Sequence, residues 1–119
     1  MTRVLIVDDE PDILLMLRLT LEAEGFTTAL AADGEKALER LDEAQFDVML
    51  LDVMMPVLDG WGVLERLQGR ADAPAVIIVS AKTAAQDIAR ATALGAAEYV
   101  TKPFSVSDLK RVIDKVVAS

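Results

Sequence analysis

Apolar residues fall along this chain in two kinds of run. Short unbroken blocks, Val4–Val7, Val48–Leu51 and Ala75–Val79, are joined by a weaker Tyr99-Val100-Thr101 and a less apolar Thr27–Ala31. Apolar character on successive positions, not alternate ones, suits a strand whose two faces are both covered, as in a parallel sheet. Between the blocks the apolar residues repeat at three or four: Ile13, Leu14, Leu17, Leu21; Ala37, Leu38, Leu41; Val63, Leu64, Leu67; Ile88, Ala91, Leu94; Leu109, Val112, Ile113, Val116. That period predicts helices. Pro11 suits a first turn, Thr83 with Gln86 and Ser105 with Asp108 have capping-box spacing, and Gly25 and Gly95 suit the position after a helix end. The pattern reads as strand then helix, five times over.

Parallel strands joined by helices cross over with one hand, so five such units predict an α/β, doubly wound, five-stranded parallel sheet with helices on both faces. No linker or low-complexity tract interrupts it, and residues 1–119 are expected to form one domain. Such sheets bind ligands beyond the carboxyl ends of their strands, where the winding reverses; with strand order 2-1-3-4-5 that point lies between strands one and three.

Composition narrows the chemistry. The 119 residues contain no cysteine and no histidine. Disulfides, thiolate metal sites, histidine ligation, Ser-His-Asp catalysis and a phosphohistidine carrier role are thereby excluded. Twenty acids against twelve bases leave a net charge of −8, which disfavours nucleic acid or an anionic membrane as a direct partner and favours a cation or a basic surface. No apolar run approaches the length that spans a bilayer, and acids follow the first run at once, so a cytoplasmic location is expected.

The predicted strand ends carry the candidate site. Strand one ends in Asp8-Asp9-Glu10, strand three in Asp52, strand four in Ser80, and Lys102 follows strand five. Two like charges about 5 Å apart cost roughly 3 kcal/mol at an effective dielectric of about 20, so the acids call for a counter-charge. Mg²⁺ fits an oxygen-only donor set, and Lys102 is the other candidate. Three carboxylates, one Mg²⁺ and one ammonium sum to zero, and a phosphoryl dianion could then approach without a large penalty. Each residue has a plainer explanation: Asp8 and Asp9 could solvate a loop, Asp52 could be a loop acid, Ser80 a turn hydroxyl and Lys102 a surface lysine. Their joint placement on the ends of four strands is what singles them out.

With these residues placed, the chain resembles the receiver domains of bacterial two-component response regulators, of the flavodoxin-like (βα)5, chemotaxis-regulator-like kind. The resemblance rests on Val4-Leu5-Ile6-Val7-Asp8-Asp9-Glu10, on Asp52-Val53-Met54-Met55-Pro56-Val57-Leu58-Asp59-Gly60, on Ser80-Ala81-Lys82 and on Tyr99-Val100-Thr101-Lys102-Pro103-Phe104. It implies that Asp52 accepts a phosphoryl group from a phosphohistidine of a sensor histidine kinase or histidine phosphotransfer protein, or from a small acyl phosphate. It also implies Mg²⁺ held by Asp9, Asp52 and the Met54 carbonyl, with Asp8 acting through a water. Lys102, the Ser80 hydroxyl and the Ala81 backbone N–H would contact the phosphoryl oxygens. Ser80 and Tyr99 would act as the switch, changing the surface made by the fourth helix, fifth strand and fifth helix for a partner or output domain, and Lys102-Pro103 would be a cis peptide.

Pro56 and Gly60 are expected to have backbone roles and Asp59 to cap a helix. Met54 and Lys82 lie two residues beyond Asp52 and Ser80, where the resemblance implies tuning of phosphoryl loss; an apolar Met54 cannot position a water by hydrogen bonding. Trp61 is the sole tryptophan and a candidate fluorescence reporter. The implied protein is a switch that catalyses only its own phosphorylation and dephosphorylation. The alternatives are an Mg²⁺-dependent aspartyl-phosphate phosphatase, which would want an acid where Met54 stands, and a receiver-like binding module that is never phosphorylated. Asp108 is followed four residues on by Val112, where receivers of winged-helix transcription factors usually carry arginine, and this argues against that output. The ends of the sequence fit a stand-alone regulator and a receiver of a longer protein equally.

Overall fold

The computed structural model describes residues 2–118; Met1 and Ser119, the ends of the expected domain, lie outside the described residues. The elements run β1 (Arg3–Val7), α1 (Pro11–Ala23), β2 (Thr27–Ala31), α2 (Gly34–Glu43), β3 (Val48–Leu51), α3 (Gly60–Leu67), β4 (Ala75–Ser80), α4 (Ala85–Ala93), β5 (Glu98–Thr101) and α5 (Val106–Ala118). All strand pairs are parallel and the order is β2-β1-β3-β4-β5, as the apolar pattern and the assumed winding predict. Among the described residues no helix is long and apolar enough to cross a membrane.

Successive residues of the central strands feed opposite cores, because side chains alternate across a sheet. Leu5, Val7, Met49, Leu51, Val76 and Ile78 pack with α2, α3 and α4, while Val4, Ile6, Val48, Leu50, Ile77 and Val79 pack with α1 and α5. Both faces are covered, which accounts for the unbroken apolar runs. The edge strands read more weakly because fewer of their positions are buried: β5 has none, and β2 only Ala31.

Helix ends follow the sequence signals with one exception. Pro11 opens α1, Asp59 accepts from the Gly62 N–H at 2.9 Å, and Ser105 accepts from the Asp108 N–H at 3.1 Å. Gly25 and Gly95, at φ 95° and 98°, close α1 and α4, and the residue after each donates back to the carbonyl five before it. The expected Thr83–Gln86 box is not formed: α4 begins one residue later, with Ala84 as an N-cap that has no side-chain bond. Thr83 then stands outside the first turn, where its hydroxyl is displaced from the free N–H groups. A cap not anticipated from the sequence is Asp33, which accepts from the Lys36 N–H at 2.8 Å and starts α2. Ile88, placed on the apolar stripe of α4, remains 37% exposed, and Ala91 is the buried residue of that helix.

Candidate functional site

Strand register builds the site. Val7 pairs with Leu51, so the residues that follow, Asp8 and Asp52, emerge side by side at the carboxyl ends of adjacent central strands. The ladder continues through the Asp52 N–H, which donates to the Val7 carbonyl at 3.0 Å. Across β4, Ser80 pairs with Thr101, and the Lys102 N–H donates to the Ser80 carbonyl at 2.8 Å, bringing the lysine to the same end of the sheet. The Lys102-Pro103 peptide is cis.

The side chains converge accordingly. The Lys102 Nζ lies 3.2 Å from Asp8 Oδ2 and 3.5 Å from Asp52 Oδ2, so one ammonium serves two carboxylates. Asp8 and Asp52 are only 3% and 6% exposed. Burial pushes the Asp52 carboxyl above its ordinary value, and the Asp8 charge adds to the push; Lys102 and a 3.2 Å bond from the Met54 N–H to Asp52 Oδ1 only partly offset them. For Lys102 burial works against the charged form, but attraction to Asp52 and Asp8, with hydrogen bonds to both, leaves the ammonium held above its ordinary value. The cluster keeps a surplus of negative charge after its own lysine is counted.

The donor chemistry suits a hard cation. Carboxylate oxygens of Asp8, Asp9 and Glu10 lie within 4.8 Å of one another, two of the three residues being exposed, so the group can close on an ion from solvent. Glu10 therefore stands closer to the expected ligands than the sequence reading assigned it, held there by a 2.9 Å bond from its N–H to Asp8 Oδ1. A crevice of about 280 Å³ is lined by Asp9, Asp52, Met54, Ser80, Ala81 and Lys102, together with Glu10 and Lys82. Every residue expected to touch a metal or a phosphoryl group except Asp8 lines it, and Asp8 holds Lys102 from behind. Gly60 makes the loop after Asp52 possible: a Cβ there would stand 2.5 Å from the Asp52 carbonyl oxygen, and its N–H donates to the Val53 carbonyl at 2.9 Å.

Ser80 lines the crevice in a buried position, and two expected residues, Tyr99 and Pro103, lie outside it. The Ser80 side chain is fully buried, its hydroxyl accepting from the Lys82 N–H at 3.1 Å. Tyr99 lies outside the crevice, half-buried, and its hydroxyl donates to the Lys82 carbonyl at 2.9 Å, tying β5 to the loop after Ser80. Pro103 lines a separate apolar groove with Ile13, Met16 and Phe104. Trp61 is buried in the wall of an adjoining crevice that also includes Asp9 and Met54, and the Arg90 guanidinium stacks over it at 4.4 Å. The sequence carried no signal for that pairing, since a cation and an aromatic from two helices are matched only by packing.

The comparison with known proteins meets this geometry directly. The family model for the response regulator receiver domain matches residues 4–114. The chain belongs to the response regulator receiver domain family. Receiver domains of this family are phospho-aspartate switches of two-component systems. The chain is similar to the receiver domain of the Francisella response regulator 1452, with a TM-score of 0.93, 31% identity and coverage of 99% of this chain and 98% of that one. It is also similar to the Thermotoga maritima response regulator TrrA, solved in complex with Mg(2+)-BeF, at TM-score 0.87 and 31% identity, covering 98% and 99%. The DNA-binding response regulator MtrA of Mycolicibacterium smegmatis is 38% identical over 107 residues, 90% of this chain and 46% of MtrA. The chain thus spans about half the length of the curated relatives it matches. MtrA is a DNA-binding response regulator. In the structure Asp108 pairs with Arg111 of its own helix, at 2.7 Å.

Proposed function

We propose that residues 1–119 form one receiver domain in which Asp52 is the phosphoacceptor, and that a sensor histidine kinase or histidine phosphotransfer protein in the cytoplasm supplies the phosphoryl group. The observation that carries this reading is the shared ammonium: Lys102 bridges Asp8 and Asp52 at the mouth of an oxygen-lined crevice. Asp9, Asp52 and the Met54 carbonyl would hold Mg²⁺, with Asp8 acting through a water and Glu10 close by; when bound, the ion neutralises oxygens of the transferring group. An Asp52 oxygen attacks phosphorus as the P–N bond of the donor breaks, its electron pair passing to the imidazole nitrogen. Lys102 steadies the incoming oxygens, and the Ser80 hydroxyl and Ala81 N–H supply further donors once Ser80 turns from Lys82. Movement of Ser80 and Tyr99 then reshapes the surface of α4, β5 and α5 for a partner or output domain. The domain acts on its own aspartate only: Met54 stands where a phosphatase would need a second acid.

The test is the mass of the intact protein after incubation with Mg²⁺ and a small acyl phosphate. One phosphoryl adduct is expected, absent from Asp52→Asn and from protein stripped with a chelator. An adduct that survives in Asp52→Asn overturns the assignment.

A further inference from the structure

Neighbouring methionines in the loop after the acceptor differ sharply in exposure. Met54 is 63% exposed and Met55 is 9% exposed, while Met49 on β3 is fully buried. Met54 also occupies a junction, because it lines the acceptor crevice with Asp52 and Lys82 and the adjoining crevice with Asp9 and Trp61. Water bound for a phosphoryl group on Asp52 would pass this thioether, which accepts hydrogen bonds only weakly. Met54 is therefore open to oxidants and placed where a change in its polarity alters what water meets at the acceptor.

Resting on the reading of Asp52 as phosphoacceptor, we propose that Met54 is an oxidation site that sets the lifetime of the aspartyl phosphate. A peroxide transfers one oxygen atom to the thioether, giving methionine sulfoxide and water; sulfur is oxidised and the peroxide reduced. The sulfoxide oxygen is a strong acceptor on a flexible arm at the crevice mouth. It can accept a hydrogen bond from a water and orient it as the water oxygen attacks phosphorus; the P–O bond to Asp52 breaks, the carboxylate leaves with the electron pair, and the water's protons go with the released inorganic phosphate and to solvent. The acyl phosphate, long-lived behind an apolar gate, becomes short-lived behind a polar one. Met54 is a positioning residue in this scheme, since it acts through water.

The experiment phosphorylates the protein before and after mild hydrogen peroxide treatment, maps sulfoxide by peptide mass spectrometry and follows decay of the intact adduct. Met54 sulfoxide should form ahead of Met49 and Met55, and decay should quicken by about threefold to tenfold, below the hundredfold that a true general base supplies. Methionine sulfoxide reductases should restore the slow decay. Met54→Leu, which keeps Met16 and the other methionines, should decay at one rate with or without peroxide, and Met54→Gln should decay quickly without it. An adduct on Asp52 whose lifetime ignores Met54 sulfoxide overturns the proposal alone, as does equal quickening in Met54→Leu. Failure of the untreated protein to form any adduct on Asp52 overturns the acceptor assignment and this proposal together.

Discussion

At each end of the sheet one cation faces two aspartates, and the two arrangements behave in opposite ways. At the amino end, in the loop before β4, Arg70 bonds Asp42 and Asp72 at 2.8 Å each, and both acids are largely in solvent. The guanidinium hydrogen bond holds the Asp72 carboxyl below its usual range, and Arg70 is correspondingly raised. At the carboxyl end Lys102 faces Asp8 and Asp52 at longer range, with both acids buried, and Asp52 is pushed up. A planar fork with two good bonds to exposed acids satisfies its partners; a single ammonium shared at longer range between two buried carboxylates does not. The unsatisfied end is where a phosphoryl group and its cation would be received, and the fold tolerates the misfit there because the apolar cores on both faces hold the strands.

Other features follow the same division in part. The amino end has the two glycine-closed helix ends, Gly25 and Gly95, and the Arg3 N–H bonded to Asp47 at 2.8 Å. The carboxyl end is mixed: α2, α3 and α5 start with side-chain bonds to Asp33, Asp59 and Ser105, while the N-caps of α1 and α4 lack one. It also has Val57 at φ 69°, inside a turn closed by a 2.8 Å bond from the Leu58 N–H to the Pro56 carbonyl. A β-branched residue in that region of backbone space stores strain.

The contrast can be broken most strongly at Lys102. Lys102→Met leaves Asp8 and Asp52 without their cation and should cost about 3 kcal/mol at neutral pH in a urea melt, part of it restored by added Mg²⁺. Arg70→Met at the other end should leave the urea midpoint nearly unmoved, because its partners return to water. Equal losses would show that the two ends do not differ as described. In the intact protein the stability supplied by Lys102 is full below its ordinary value of 10.5 and is lost as pH rises through its raised value.

Asp52→Asn should do the reverse and stabilise the domain at pH 7, seen as a higher urea midpoint. A carboxyl raised by folding binds its proton more tightly in the native state, so the ionised form costs stability above that raised value. The advantage of asparagine should shrink as the pH falls through the raised native value, where the folded aspartate takes up its proton, and be gone below 3.8, the ordinary value, where the unfolded chain is protonated too. A gain that stays constant from pH 7 to pH 3 would contradict the burial argument. The smallest gain expected is at Val57: replacement by glycine relieves the positive φ at some cost in chain entropy, for a net gain of about 0.5 kcal/mol in the same melt.

Much of the fold was legible because both sheet faces are covered. Val4–Val7, Val48–Leu51 and Ala75–Val79 had to be apolar throughout, and the breaks between them fell at proline, glycine and acidic caps. The acids at the ends of β1 and β3 were legible as a cluster once the winding was assumed. The late start of α4, the exposure of Ile88 and the stacking of Arg90 on Trp61 were not, since each depends on how α4 seats against α3 and β5. Glu10 as a third close carboxylate depended on a backbone turn through Asp8.

By itself the sequence determined the alternation of strand and helix, the absence of histidine and cysteine chemistry, and the surplus of negative charge, because these follow from residue type and spacing along one chain. Tertiary structure decided which acids share an ammonium, which carboxyl is pushed out of its ordinary range by burial, and which of two adjacent methionines meets solvent beside Asp52. The shared ammonium joins residues 50 and 94 positions apart, Lys102 to Asp52 and to Asp8. Local propensity has no term for that separation; the parallel register of β1, β3 and β4 supplies it.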